Sequence, residues 1–143
     1  MHCLNKKLTT PSRYYFQRWV NAALQGQCKT ATVAIRLTNE KESAFLNETY
    51  RGKKGPTNIL SFPFEPPANI QTSLLGDLII CVPVIEKEAK QQGKLLLAHW
   101  AHMVIHGCLH LIGYDHIKTN DAKIMETLEV KILKKLQFED PYL

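Results

Sequence analysis

The residues with the clearest chemistry lie in one stretch, His106-Gly-Cys-Leu-His110-Leu-Ile-Gly113-Tyr-Asp-His116. Helical residues four apart share a face, one turn above the other, so His106 and His110 can bring two imidazole nitrogens toward one point. His116 follows six residues later, past Gly113, where left-handed backbone can end a helix and turn the chain back. The spacing His-x-x-x-His-x-x-Gly-x-x-His is that of a metal-binding segment. Three nitrogen ligands leave a fourth position for water, as catalytic sites do and closed structural sites do not. All-nitrogen ligation suits one zinc ion, which brings the pKa of its water to ~7. His99 and His102 compete for the role. A set of His102, His106 and His110 would spread over about 12 Å of helix axis, at ~1.5 Å per residue, too far to close on one ion. His102 is left as a group that orients a ligand or simply packs, with no partner evident in the sequence.

The same spacing occurs in metzincin proteases, whose general base is a glutamate directly after the first histidine. Gly107 stands there instead, so a zinc peptidase is the weaker reading. Arg51 points to another target, because a guanidinium can hold two phosphate oxygens and offset charge that develops in phosphoryl transfer. Lys53 and Lys54 beside it suit contacts to a phosphate backbone. Asp115 is a candidate proton acceptor, although beside His116 its favoured role is to orient that ligand.

The elements that must position these groups follow from periodicity and punctuation. Thr10 as N-cap, Pro11 in the first turn and Gly26 as stop predict a helix over 11–25, with Tyr15, Phe16, Trp19, Ala22 and Ala23 buried. Residues 30–37 alternate as a strand with Val33, Ile35 and Leu37 on the covered side. Asn39 and Glu42 resemble a capping box opening a helix to residue 49. Residues 50–58 hold two glycines and a proline, which predicts a loop carrying Arg51, Lys53 and Lys54 on flexible backbone. Residues 58–64 read as a strand confined by Pro63 to an edge or an exit, and 74–82 as a buried strand interrupted at Gly76-Asp77. Pro83 opens a helix ending at Gly93, and residues 95–112 form the long helix under the histidines, with Leu96, Trp100, Met103 and Leu111 toward the core. A last helix over 119–136 buries Ile124, Leu128, Ile132 and Leu136. A short edge strand is allowed in residues 1–8. Strands followed by helices, with no linker or repeat, predict one α+β domain over residues 1–143.

At 143 residues with 45% hydrophobic and 22% charged residues, the chain suits an ordinary globular domain and excludes a disordered one. A net charge of +5 favours an anionic partner such as nucleic acid. No apolar run nears the ~20 residues of a membrane span and no signal-peptide core opens the chain, so the protein is expected to stay where it is made. Cys3, Cys28, Cys81 and Cys108 are scattered, which suits reduced thiols in a cytosolic setting.

Taken together, the histidine motif, Tyr50-Arg51-Gly-Lys with Pro56-Thr-Asn-Ile-Leu-Ser-Phe-Pro-Phe-Glu65 upstream, and Leu75-Gly-Asp-Leu-Ile-Ile-Cys81 between them resemble the YbeY family of rRNA maturation factors. The likeness runs from about Val33 to the Glu139-Asp-Pro-Tyr142 end. It implies a zinc-dependent, single-strand-specific endoribonuclease of the cytoplasm, acting in 16S rRNA 3'-end processing and ribosome quality control. Its partners would be single-stranded rRNA and the small ribosomal subunit, with neither membrane nor DNA. Carried onto this chain, the zinc ligands are His106, His110 and His116 and the important arginine is Arg51. Asp115, His102 and Lys53 are further candidates for orienting a ligand or touching substrate. The implied fold is a mixed, roughly four-stranded sheet with about five helices and a zincin-like metal site. Lys54 departs from the family pattern, which commonly has an acidic residue there, so any role of that carboxylate is missing. The different-class alternative is a non-catalytic ribosome assembly factor with a structural metal, its basic loop supplying RNA affinity.

Overall fold

The computed structural model describes residues 10–24, 31–65, 73–114 and 119–142. In chain order the elements are α1 (Arg13–Leu24), β1 (Thr32–Thr38), α2 (Glu40–Arg51), β2 (Ile59–Pro63), β3 (Leu74–Cys81), α3 (Val82–Gln91), α4 (Leu96–Leu111) and α5 (Thr119–Lys135). Among the described residues the sheet has three strands in the order β1-β3-β2, where roughly four were expected. The edge strand allowed in residues 1–8 falls outside the described residues, as does the helix stop at Gly26. The sheet is mixed, as the resemblance implied: β1 runs parallel to β3 and β2 antiparallel to it. Five helices among the described residues complete an α+β fold.

Local rules account for most boundaries. Helix α1 starts at Arg13 because the Ser12 carbonyl, and not one nearer Thr10, accepts from the amides of Tyr15 and Phe16. Asn39 caps α2 by accepting from the Glu42 amide at 2.8 Å, while the Glu42 carboxylate turns to Arg36 instead of closing the box. Strand β1 keeps its alternation, with Thr32, Ala34 and Arg36 exposed. Strand β3 is continuous through Gly76-Asp77, but its register against β1 slips by one residue just before Gly76, where Thr32 pairs with Leu74 and Val33 with Gly76. Gly76 is needed there for space: a Cβ would stand 2.3 Å from the Phe62 carbonyl oxygen on β2 and 2.8 Å from a Leu111 methyl on α4.

Helix α4 is buried nearly all round, as a helix with apolar residues on every side must be. It packs against α1, β2, β3, α3 and α5. Phe16 of α1 meets Trp100 of α4 edge-on at 5.7 Å, and Trp19 and Trp100 are fully buried. In α5 Leu128, Ile132 and Leu136 of the predicted stripe lie in or against the core, and the first member, Ile124, does not. Ile124 is 57% exposed, while Met125, Glu129, Ile132 and Leu133 are buried. A carboxylate thus occupies the core face, where an all-apolar stripe was expected.

His99 is buried with its Nε2 2.9 Å from the Glu88 carboxylate. Burial lowers its pKa below the ordinary 6.5, although Glu88 acts the other way. The neutral ring is therefore the form the fold prefers. Its contribution to stability is complete above pH 6.5 and is lost as the pH falls below that value toward the lower folded pKa. Denaturant midpoints measured from pH 7.5 to 5 should fall with acid, and His99→Gln should flatten that slope. A slope unaltered by the substitution would assign the acid sensitivity elsewhere.

Candidate functional site

His106 and His110 lie in the last turns of α4, and that half of the helix sits tightly on the sheet. Gly107 permits the approach: a Cβ there would stand 2.7 Å from Ile59 Cδ1 and 2.8 Å from Leu78 Cδ2. The position after the first histidine faces the sheet, so the protease base is excluded by packing as well as by residue type. Gly113 (φ 106°) ends the helix as expected, and the Tyr114 amide donates back to the Leu109 carbonyl at 3.0 Å. The returning chain puts the Tyr114 carbonyl 3.0 Å from His110 Nδ1. His116 and Asp115 lie just beyond, outside the described residues.

The two Nε2 atoms of His106 and His110 are 3.1 Å apart. A carbonyl only accepts, so His110 Nδ1 carries the proton and donates to Tyr114. His106 Nδ1 is 2.6 Å from Glu129 Oε2. Burial pushes the Glu129 pKa up, but hydrogen bonds from His102 and His106 and the His106 charge outweigh it and hold the carboxyl down at about 2. The ionised carboxylate accepts, and His106 donates from Nδ1. With Nδ1 donating on each ring, the two Nε2 atoms face one another across 3.1 Å. Two nitrogens bound to one ion at ~2.0–2.1 Å would sit at about this separation, so the pair fits zinc. Among the described residues no three ligating side chains converge, since the third expected ligand, His116, is not one of them.

Beside the histidines opens a cleft of about 700 Å³ lined by Arg51, Lys53, Asn47, Ser61 and both imidazoles. Arg51 is not on a loop, as the glycines and proline suggested, but is the last residue of α2. The loop that follows is tied down and not loose. Gly52 takes left-handed backbone (φ 67°) to cap α2. Buried Ser43 donates to the Thr57 carbonyl and accepts from its amide, both at 3.0 Å, and buried Asn47 donates to the Gly55 carbonyl at 2.9 Å. Asn58 donates to Glu88 of α3 at 3.2 Å. Counting glycines and prolines misses polar side chains in the neighbouring helix that hold the loop. Lys54 is exposed.

The sequence offered His102 no partner, and the structure supplies one. Its Nε2 is 2.9 Å from Glu129 Oε1, which turns that nitrogen away from the His106–His110 pair. Glu129 and Tyr142 are the residues that sequence reasoning missed. The available signal was helix phase: Met125, Glu129 and Leu133 repeat at four-residue steps beside the stripe chosen, and a carboxylate within a buried stripe marks a polar partner across the core.

Cys81 and Cys108 are buried free thiols, and burial pushes the Cys108 thiol up to about 12. Among the described residues no helix is long and apolar enough to cross a membrane.

The fold is similar to the solution structure of TM1509 from Thermotoga maritima, at a TM-score of 0.58 and 20% identity, over 91% of this chain and 89% of that one. The family model described as endoribonuclease YbeY matches residues 3–137. That span takes in every helix and strand from α1 to α5, the paired imidazoles and the cleft beside them, and the chain accordingly belongs to the endoribonuclease YbeY family.

Proposed function

We propose that the chain is a zinc-dependent endoribonuclease that cleaves single-stranded RNA in ribosomal RNA maturation, including 16S rRNA 3'-end processing and ribosome quality control in the cytoplasm. The observation that carries this reading is the pair of Nε2 atoms 3.1 Å apart, facing a cleft that also holds Arg51 and Lys53. In this reading His106, His110 and His116 hold one zinc ion. When bound, zinc supplies Lewis acidity and an activated water at neutral pH.

The protein's own groups do the rest. Arg51, held by the C-terminal turn of α2, grips two oxygens of the phosphate and offsets the charge that builds on them. Lys53 meets a neighbouring phosphate and adds affinity without sequence preference. The Tyr114 carbonyl keeps the His110 proton on Nδ1, so Nε2 stays directed into the cleft. Asp115 orients His116. An extended single strand can lay its phosphates along such a cleft more readily than a rigid duplex.

Metal analysis of the purified protein, joined to a cleavage assay on single-stranded rRNA fragments with and without chelator, tests this. About one zinc per chain and cleavage abolished by chelator, then restored by zinc, are expected. Metal-free protein that cleaves, or cleavage indifferent to chelator, would sink the mechanism. Full rRNA maturation by a His106→Ala variant would favour the assembly-factor role over catalysis.

A further inference from the structure

Glu129 is fully buried, yet its carboxylate accepts three hydrogen bonds. Among the described residues Oε2 accepts from His106 Nδ1, at 2.6 Å. Oε1 takes His102 Nε2, at 2.9 Å, and the Tyr142 hydroxyl. These four residues come from three places: His102 and His106 from α4, Glu129 from α5, and Tyr142 from the tail beyond α5. The tail is shaped for this, since the Tyr142 amide donates to the Asp140 side chain at 2.8 Å.

Packing alone does not explain a carboxylate here. A buried ionic network adds little net stability over a set of apolar residues filling the same space, so joining α4 to α5 does not by itself call for one. What an apolar side chain cannot do is select a tautomer. An acceptor at Nδ1 keeps the proton there and fixes the ring plane, which turns Nε2 toward His110 Nε2. His110 has its own acceptor, the Tyr114 carbonyl, built from backbone. The pair is thus held by one neutral acceptor that no substitution removes and one anionic acceptor that a substitution can. Meanwhile His102 and Tyr142 occupy Oε1 and hold the carboxylate in the rotamer that reaches His106.

We propose that Glu129 is a positioning residue for His106 as a metal ligand, and that His102 and Tyr142 brace its carboxylate, so that the C-terminal tail tunes metal affinity. This rests on the reading of His106 and His110 as zinc ligands. Carboxylates that receive a ligating histidine's proton are worth about 10–100-fold in metal affinity.

The test measures zinc affinity by competition with a chromogenic chelator, and the absorption spectrum of the cobalt-substituted protein, for the full chain and for Glu129→Met, Glu129→Gln, Tyr142→Phe and His106→Ala. Melting temperatures of the metal-free proteins are read alongside. Glu129→Met should weaken zinc by about 10–100-fold and shift the cobalt bands, and it should also lower the metal-free melting temperature, because His102 Nε2 and the Tyr142 hydroxyl lose their acceptor. Glu129→Gln should weaken zinc less, because an amide oxygen still accepts from Nδ1, and this near-isosteric change carries the test if the methionine variant does not fold. Tyr142→Phe should weaken zinc by a few-fold. Parental affinity and spectrum in the Glu129 variants overturn the proposal, as does an affinity loss in Glu129→Gln with no shift of the cobalt bands. A parent that binds no zinc, or binds it equally well as His106→Ala, overturns instead the ligand assignment beneath it.

Discussion

Replacing Arg51 by alanine should lower the rate of single-stranded RNA cleavage by about 10²–10³-fold, the range seen when one donor to a developing oxyanion is removed. Zinc content should not change, because Arg51 is not among the proposed zinc ligands. Folding should change little, since Arg51 is exposed at the end of α2, where it contributes mainly a favourable charge at the helix C-terminus worth about 0.3–1 kcal/mol. Arg51→Lys should recover only a minor part of the rate, because an ammonium is a point charge and lacks the planar fork that grips two oxygens. Single-turnover cleavage of a short single-stranded oligoribonucleotide by zinc-loaded variants reads the effect. Cleavage by Arg51→Ala within about threefold of the parent would remove Arg51 from the chemistry and leave it as a general cation of the cleft.

Restoring the protease base should destroy the fold and create no peptidase. In Gly107→Glu the new Cβ alone would meet Ile59 Cδ1 and Leu78 Cδ2 at 2.7 and 2.8 Å. Overpacking of this kind costs about 1–3 kcal/mol. The carboxylate would follow into a space between α4 and the sheet where Leu78 is fully buried. A charge left there without a partner adds several kcal/mol more. The total is a large fraction of the ~5–15 kcal/mol that stabilises a domain. A melting temperature lowered by more than about 10 °C, or loss of soluble protein, is expected. A folded Gly107→Glu protein that hydrolyses peptides would revive the protease reading and contradict the packing seen here.

Much of the fold was legible because it is written locally. The alternation of Val33, Ile35 and Leu37, the Asn39 cap and the run from Leu96 to Leu111 each depend on neighbours a few residues away. Boundaries mostly moved by two residues or fewer. Errors arose where distant groups compete with a local rule. Gly76 was read as a break in β3, yet its missing side chain is what lets β2 and α4 close in on the strand. The turn signals after α2 were read as a flexible loop, yet Ser43, Asn47 and Asn58 bond its backbone or anchor its end from outside.

The candidate site divides in the same way. The sequence by itself determined that His106 and His110 share a helix face and that Gly113 can turn the chain after them, because helical pitch and glycine's access to left-handed backbone need no information beyond the segment. Only the tertiary structure decided which carboxylate meets His106. Glu129 lies 23 residues further along. Its arrival depends on the rotational phase of α5, whose core face takes in Met125, Glu129 and Leu133 beside Leu128, Ile132 and Leu136. Packing α4 against α5 set that phase, bringing the carboxylate against the histidines and leaving Ile124 exposed.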